Sequence, residues 1–230
     1  MKPKPIIEFQ QLAISFFAGE ILPAFMTSNF LRESRIIPEE WEFAKPPEID
    51  TQSGNVVFTN DVYISADIGT VTFSEYLNTT NIDDAKVPNL ASKWVNTLSR
   101  LSYQGAEISF NSFVTFERKN HSFGHYIPNR LLVNGDWKEV SEEPLRASLS
   151  LAYTLKDQNF DLKIDDVRLR GSDDSLQSGV MFCGNFPYEL NGNTAVEKLK
   201  HINQLLELWQ EDLEVYQNIV DKKFLKLNKN

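Results

Sequence analysis

The most strongly patterned stretch of the sequence is Thr194–Phe224, which reads TAVEKLKHINQLLELWQEDLEVYQNIVDKKF. Its apolar residues recur at spacings of three and four, which places them along one side of an α-helix. Thr194 followed by Glu197 has the form of a capping box, and the stretch contains no Gly or Pro. A continuous helix of this length is about 45 Å long. It needs an apolar surface to lie on, and the chain before it is mostly strand-like.

Alternating apolar residues predict strands through most of the preceding chain. The predicted strands are Ile6–Phe17, Val56–Phe58, Val62–Ala66, Val71–Phe73, Tyr103–Glu117, Leu145–Leu155, Phe160–Leu169 and Gly179–Leu190. A second helix is predicted at Pro88–Leu101, because Leu90, Trp94, Val95, Leu98 and Leu101 fall on one side of it. Trp94 and Trp209 fall on the apolar sides of the two helices. These elements predict an α+β fold, with an antiparallel twisted sheet or two adjoining sheets and two main packed helices.

The domain organisation follows from length and order. The 230 residues predict a single α+β domain over 1–230. Each half carries several strands with a helix near its end, and Ile108–Phe116 faintly resembles Val180–Tyr188. Two similar halves, 1–118 and 145–230, are therefore a further hypothesis.

The composition excludes several classes of function. A net charge of −9 argues against binding to nucleic acid or to an anionic membrane. No window approaches the ~18 apolar residues of a membrane-spanning helix. Cys183 is the only cysteine, so an intramolecular disulfide is not expected and a reducing cytoplasm is the simplest location. Glu8 interrupts the apolar start of the chain, which argues against a secretory signal.

Residues with catalytic or ligand-binding chemistry are few. His121 and His125 have a spacing that can hold zinc on a helix, but Gly124 lies between them and they are interpreted as polar loop residues. The acidic pairs Asp165–Asp166 and Asp173–Asp174 are interpreted as a strand end and a turn. Cys183 is expected to be a buried thiol. No P-loop, nucleophile elbow or zinc-protease pattern occurs. The sequence thus predicts no catalytic residue, cofactor or metal.

One segment carries a resemblance to a known family. Ser28–Glu42, SNFLRESRIIPEEWE, followed by Val56–Asn60, VVFTN, resembles an uncharacterised cyanobacterial protein family. That family has a similar Ile-Val-Pro-Glu-Asp-Trp segment before a Phe-x-Asn hairpin, and Glu40 stands here in place of its Asp. The resemblance implies a bacterial cytoplasmic protein of unknown activity, and it assigns no catalytic residue.

The preferred function is a non-catalytic interaction or assembly module. The apolar side of the final helix is wider than one sheet needs, which predicts a homodimer through this helix or through a sheet edge. Besides a second copy of the chain, an unknown protein is a possible partner. The candidate interaction surface consists of Leu205, Leu208, Val215 and Ile219 on the helix, with Arg32, Glu39 and Trp41 in the irregular segment 19–54. The alternative is a small-ligand-binding protein or an enzyme, with a pocket under segments 19–54 and 118–144.

Overall fold

The computed structural model describes residues 4–78, 81–116, 126–140, 145–156, 158–170 and 176–226. Its strands are β1 Pro5–Phe17, β2 Glu48–Ile49, β3 Ser53–Val57, β4 Val62–Asp67, β5 Thr70–Tyr76, β6 Gly105–Phe116, β7 Ser148–Thr154, β8 Asn159–Arg170 and β9 Leu176–Glu189. They form one nine-stranded antiparallel sheet in the order β2-β3-β4-β5-β1-β6-β9-β8-β7. The predicted α+β class is confirmed, as are the meander β3-β4-β5 and the hairpin β7-β8.

Between the strands lie helical elements, together with turns and irregular segments. The α-helices are α1 Ser28–Glu33, α2 Val87–Thr97, α3 Ala195–Glu207 and α4 Trp209–Gln217. Ile127–Leu131 and Asn218–Leu225 are π-helical, and Pro23–Met26, Ile82–Asp84 and Asp136–Glu139 are 3-10 turns. Among these described helices, none has both the length and the apolar character needed to cross a membrane.

The predicted capping box at the start of the final helical region is confirmed. The Thr194 hydroxyl accepts from the Glu197 amide at 3.2 Å, and the Glu197 carboxylate accepts from the Thr194 amide at 3.0 Å. These bonds satisfy backbone donors that have no partner within the helix. The helix therefore begins where the sequence predicts.

The prediction of one continuous helix over Thr194–Phe224 is wrong. α3 ends at Glu207, and Leu208 separates it from α4. The Leu208 carbonyl accepts from two amides, Glu211 at 2.9 Å and Asp212 at 3.2 Å. Glu211 and Asp212 thereby lie in the first turn of a new helix, where negative charge is favoured by the helix dipole. Apolar spacing continues across the break, so periodicity alone does not detect it.

The chain forms two compact units. The N unit contains Gln11–Ser109 and Phe186–Glu214, and the C unit contains Met1–Gln10, Phe110–Asn185 and Val215–Asn230. β1, β6 and β9 each contribute residues to both units. The prediction of a single domain with halves 1–118 and 145–230 stays a prediction.

The core of the N unit is an aromatic cluster around Trp94. Trp94 is fully buried, and its indole contacts the rings of Phe25, Phe30 and Phe73 with centroids 5.6–6.4 Å apart. Trp209 is 7% exposed. The predicted burial of both tryptophans is confirmed.

The core of the C unit is organised around Tyr216. Its ring packs against Phe110, with centroids 5.5 Å apart. Its hydroxyl lies 2.9 Å from Ser112 Oγ and 3.1 Å from the Phe182 carbonyl. Gln10 donates to the same Ser112 oxygen at 3.1 Å. These buried polar groups satisfy one another, so the cluster is structural.

Candidate interaction surface

The outer edge of the sheet at β7 carries backbone groups that are available for pairing. At the two ends of the β7-β8 hairpin, Asp166 N donates to the Ala147 carbonyl at 3.2 Å, and Leu155 N donates to the Gln158 carbonyl at 2.9 Å. Hydrogen-bonded residues alternate along an antiparallel ladder. Leu149, Leu151 and Tyr153 therefore direct their N–H and C=O groups toward β8.

The remaining residues of β7 direct their backbone groups away from β8. These residues are Ser148, Ser150, Ala152 and Thr154, and their side chains are exposed. In the part of the chain that the structure describes, β7 is the last strand of the sheet and pairs with β8 alone. These four alternate residues present donors and acceptors for which the described residues provide no second neighbouring strand.

Small and large side chains alternate along β7, and the large ones continue the apolar layer of the sheet. Leu149, Leu151 and Tyr153 lie opposite the buried residues Ile164, Leu162 and Phe160 of β8, yet each remains half-buried. The Tyr153 ring stacks on Phe160 with centroids 5.9 Å apart, and burial raises the pKa of the Tyr153 hydroxyl. The apolar layer therefore continues to the edge of the sheet and is incompletely covered there.

The opposite edge of the sheet is protected. β2 has two residues, follows Pro46 and Pro47, and carries Glu48, whose carboxylate lies 2.8 Å from the Lys45 ammonium. Ala44 N also donates to the Val57 carbonyl of β3 at 2.8 Å. Prolines, charges and short strands are the usual devices that block edge-to-edge pairing. β7 has none of them, since SLSLAYT contains no charge, Pro or Gly.

The predicted interaction residues of the final helical region are only partly at the surface. Leu205 is 6% exposed, so it belongs to the core and is not available to a partner. Leu208 is 40% exposed at the break between α3 and α4. Val215 and Ile219 are half-buried. Of the four predicted helix residues, only Leu208 is exposed, and Val215 and Ile219 are partly accessible.

Of the predicted interaction residues Arg32, Glu39 and Trp41, Arg32 contacts the backbone of the other two. The Arg32 guanidinium donates to the backbone carbonyls of Glu39 and Trp41, in the latter case at 2.7 Å, and lies over the Phe43 ring. The Trp41 ring packs on Phe58, with centroids 5.2 Å apart. Arg32 therefore holds segment 39–43 in place, and of the three predicted residues only Glu39 is exposed, whereas Arg32 and Trp41 are half-buried.

A shallow depression of about 280 Å³ lies on the N unit, over β1, β3, β4 and β5. The rings of Tyr63 and Tyr76 meet edge to face in it, with centroids 6.2 Å apart, and its lining contains no charged side chain. Burial, more than the neighbouring Tyr76 and Asp61, raises the pKa of Tyr63. Ligand pockets usually enclose about 300–1,000 Å³ and bury most of the ligand. The depression is open, and its volume lies just below that range.

Aromatic side chains of segment 19–54 pack together, and the predicted pocket beneath this segment stays a prediction. Phe25 stacks on Phe30 with ring centroids 5.1 Å apart, and both rings contact Trp94. Segment 118–144 is described only at 126–140, where Tyr126 and Ile127 are buried.

The acidic pair Asp165–Asp166 makes structural contacts. The Asp165 carboxylate lies 3.0 Å from the Lys163 ammonium. The Asp166 carboxylate accepts from the Tyr126 amide at 2.9 Å and from the Ala147 amide at 3.4 Å. His121, His125 and the pair Asp173–Asp174 lie outside the described residues. Among the described residues, no three His, Cys, Asp or Glu side chains are grouped as metal ligands would be.

Two other groups with reactive chemistry are constrained by burial. Cys183 is half-buried, and desolvation raises the pKa of its thiol, which disfavours the nucleophilic thiolate. Tyr188 donates to the Asp212 carboxylate at 2.6 Å, and burial followed by this bond raises the pKa of the Tyr188 hydroxyl. Asp212 is 2% exposed, so the phenol serves to satisfy a buried carboxylate.

A buried carboxylate that the sequence did not single out begins α2. Glu75 on β5 is 3% exposed, and one of its oxygens accepts from the amides of Lys86 at 2.6 Å and Val87 at 2.7 Å. Burial raises the pKa of Glu75, against the opposing effects of these two amides and of the Lys86 charge. The Glu75 carboxylate, on a strand eleven residues before the helix, thus provides the acceptor for two amides at the start of α2.

Replacing Glu75 with Gln should change the pH dependence of stability. Because the pKa of Glu75 is higher in the folded than in the unfolded state, the folded protein binds more protons between the two values. The free energy of unfolding contributed by Glu75 is fully present below the unfolded value and is lost as pH rises through the folded value. Glu75→Gln keeps an acceptor oxygen without the charge. We expect urea denaturation from pH 4 to pH 7 to favour the variant increasingly as pH rises; a pH-independent difference would contradict this.

These surfaces define an α+β protein whose sheet has one protected and one unprotected edge, without a grouped reactive site in its described residues. The chain matches no protein-family model, and it matches no curated protein. The resemblance of Ser28–Glu42 to a cyanobacterial family therefore stays a prediction.

Proposed function

We propose that the protein is a non-catalytic assembly module that joins its partner by adding a β-strand to β7. The observation that carries this proposal is the contrast between the two edges of the sheet. The β2 edge has Pro46, Pro47 and Glu48. The seven residues of β7 are uncharged, and four of them point their backbone N–H and C=O groups away from β8. Strand addition uses such groups for affinity and alternate side chains for specificity.

The chemistry of the described side chains supports a binding role over a catalytic one. Three carboxylates of the described chain accept from nearby donors: Glu75 binds the start of α2, the half-buried Asp166 binds Tyr126 and Ala147, and Asp212 binds Tyr188. Catalytic groups instead converge on a cleft with shifted pKa values and a place for substrate. A net charge of −9 favours a protein partner over nucleic acid.

The proposal is tested by capture from the native cell with two baits. One bait is the wild-type chain, and the other is Ser150→Lys/Ala152→Lys, which places two charges on exposed positions of β7. We expect the wild type to retain partners, including any endogenous copy of this chain, that the variant loses. The control Ser178→Lys, at an exposed position of β9 inside the sheet, should retain them. Identical partners on both baits would show that β7 is not the assembly surface.

A further inference from the structure

We propose that β7 pairs with β7 of a second copy of this chain, antiparallel and centred on Leu151. This inference rests on the assembly function proposed above and specifies its partner. A twofold axis through Leu151 places Ser150 opposite Ala152 and Ser148 opposite Thr154 of the second copy. The interface is closed by symmetry, as in most homodimers.

In this register, the residues that must form hydrogen bonds are the ones whose backbone groups point away from β8. In an antiparallel pair centred on Leu151, the hydrogen-bonded pairs are Ser150 with Ala152 and Ser148 with Thr154, each formed twice. These are the residues whose N–H and C=O groups point away from β8. Every outward donor and acceptor of the strand is therefore paired without changing a hydrogen bond inside either copy.

The side chains of β7 are complementary to themselves in this register. The sequence SLSLAYT alternates small and large residues and has the same pattern in both directions about Leu151. Leu151 meets Leu151, and Leu149 meets Tyr153, at non-hydrogen-bonded positions where opposing Cα atoms lie only about 4.5 Å apart. These three side chains are half-buried in one copy, so the second copy covers the exposed end of the apolar layer.

Charge limits the paired stretch to β7. Residues 148–154 contain no charge, so no like charges face each other along the strand. Arg146 and Lys156 flank the strand and come opposite each other at both ends in the same register. Like charges directly opposite are destabilising, and salt screens them. The dimer should consequently be favoured by raising the salt concentration.

Light scattering on a size-exclusion peak tests the pairing. The wild-type chain should have twice the monomer mass of 26.4 kDa at micromolar concentration. Ser150→Lys/Ala152→Lys places lysines directly opposite each other twice, and its mass should fall twofold to that of the monomer. Both positions are exposed, so circular dichroism and the denaturation midpoint should show that the variant remains folded.

A charge swap at the same two positions tests the register. Ser150→Lys/Ala152→Glu places each lysine opposite a glutamate of the second copy and should restore the doubled mass. A monomeric charge-swap variant would exclude the register centred on Leu151, and a dimeric double-lysine variant would exclude β7 as the contact.

The results also separate this inference from the assembly function. A monomeric wild type, with capture of another protein that still depends on Ser150 and Ala152, would overturn self-pairing and leave strand addition at β7 intact. A monomeric wild type whose captured proteins do not depend on these residues would overturn both.

Discussion

Trp94→Ala should lower the free energy of unfolding by about 3–5 kcal/mol, the usual cost of truncating a core tryptophan. Trp94 is fully buried and contacts three phenylalanine rings from different parts of the N unit. Truncation leaves a cavity between β5 and segment 25–30, and those rings cannot all move to fill it. Urea denaturation followed by circular dichroism measures the loss.

The matched control is Trp137→Ala. Trp137 is 48% exposed in the 3-10 turn Asp136–Glu139, so its truncation should change stability by less than about 0.5 kcal/mol. If the two variants lost equal stability, the aromatic cluster would not be the core of the N unit.

Gly184→Ala should lower the free energy of unfolding by about 1–3 kcal/mol through overpacking. A Cβ atom at this position would lie 2.5 Å from Tyr216 Cδ2 and 2.8 Å from Phe160 Cε2. Both rings are fully buried, so neither can turn away without disturbing its neighbours. Displacing Tyr216 also weakens the contacts of its hydroxyl with Ser112 and Phe182.

Gly19→Ala is the control for this substitution. A Cβ atom at Gly19 meets no atom within 4 Å, and replacing a glycine there restricts the unfolded chain. We expect unchanged or slightly raised stability from chemical denaturation. Equal losses for Gly184→Ala and Gly19→Ala would mean that close packing around Tyr216 is not the cause.

The elements that sequence predicts well are those with a local period. Alternation in β4 and β8 and the three-to-four spacing in α2 indicate both the type of element and its buried side. The break at Leu208 has no such signal, since no Gly or Pro marks it. Only the adjacent acidic residues Glu211 and Asp212, which suit the start of a helix, give a hint of it.

The features that sequence does not predict depend on pairing between distant segments. Glu75 resembles any outward polar residue of β5 until the fold brings it to the start of α2. β7 resembles any other alternating strand until the strand order places it last in the sheet. The sequence shows that this strand contains no charged residue, Pro or Gly. That composition leaves a sheet edge open to pairing only because the strand is the last one.

The strand order also bears on the hypothesis of an internal repeat. From the centre outward, one side of the sheet runs β1, β5, β4, β3 and the other runs β6, β9, β8, β7. Each series begins with a long central strand and continues with a three-stranded meander in the same chain direction. The hypothesis of two similar halves, 1–118 and 145–230, stays a prediction.

Disulfide crosslinking at Leu151 is the most direct test of strand pairing at β7. In a Cys183→Ser background, Leu151→Cys places two thiols on the twofold axis, where Cα atoms about 4.5 Å apart permit a disulfide. Ser150→Cys places them two residues apart along the strands, at about 8 Å between Cα atoms, which is too far. Under mild oxidation, a non-reducing gel should show a covalent dimer for Leu151→Cys and monomer for Ser150→Cys. Monomer for both, or equal crosslinking of both, would contradict pairing at β7 in the register centred on Leu151.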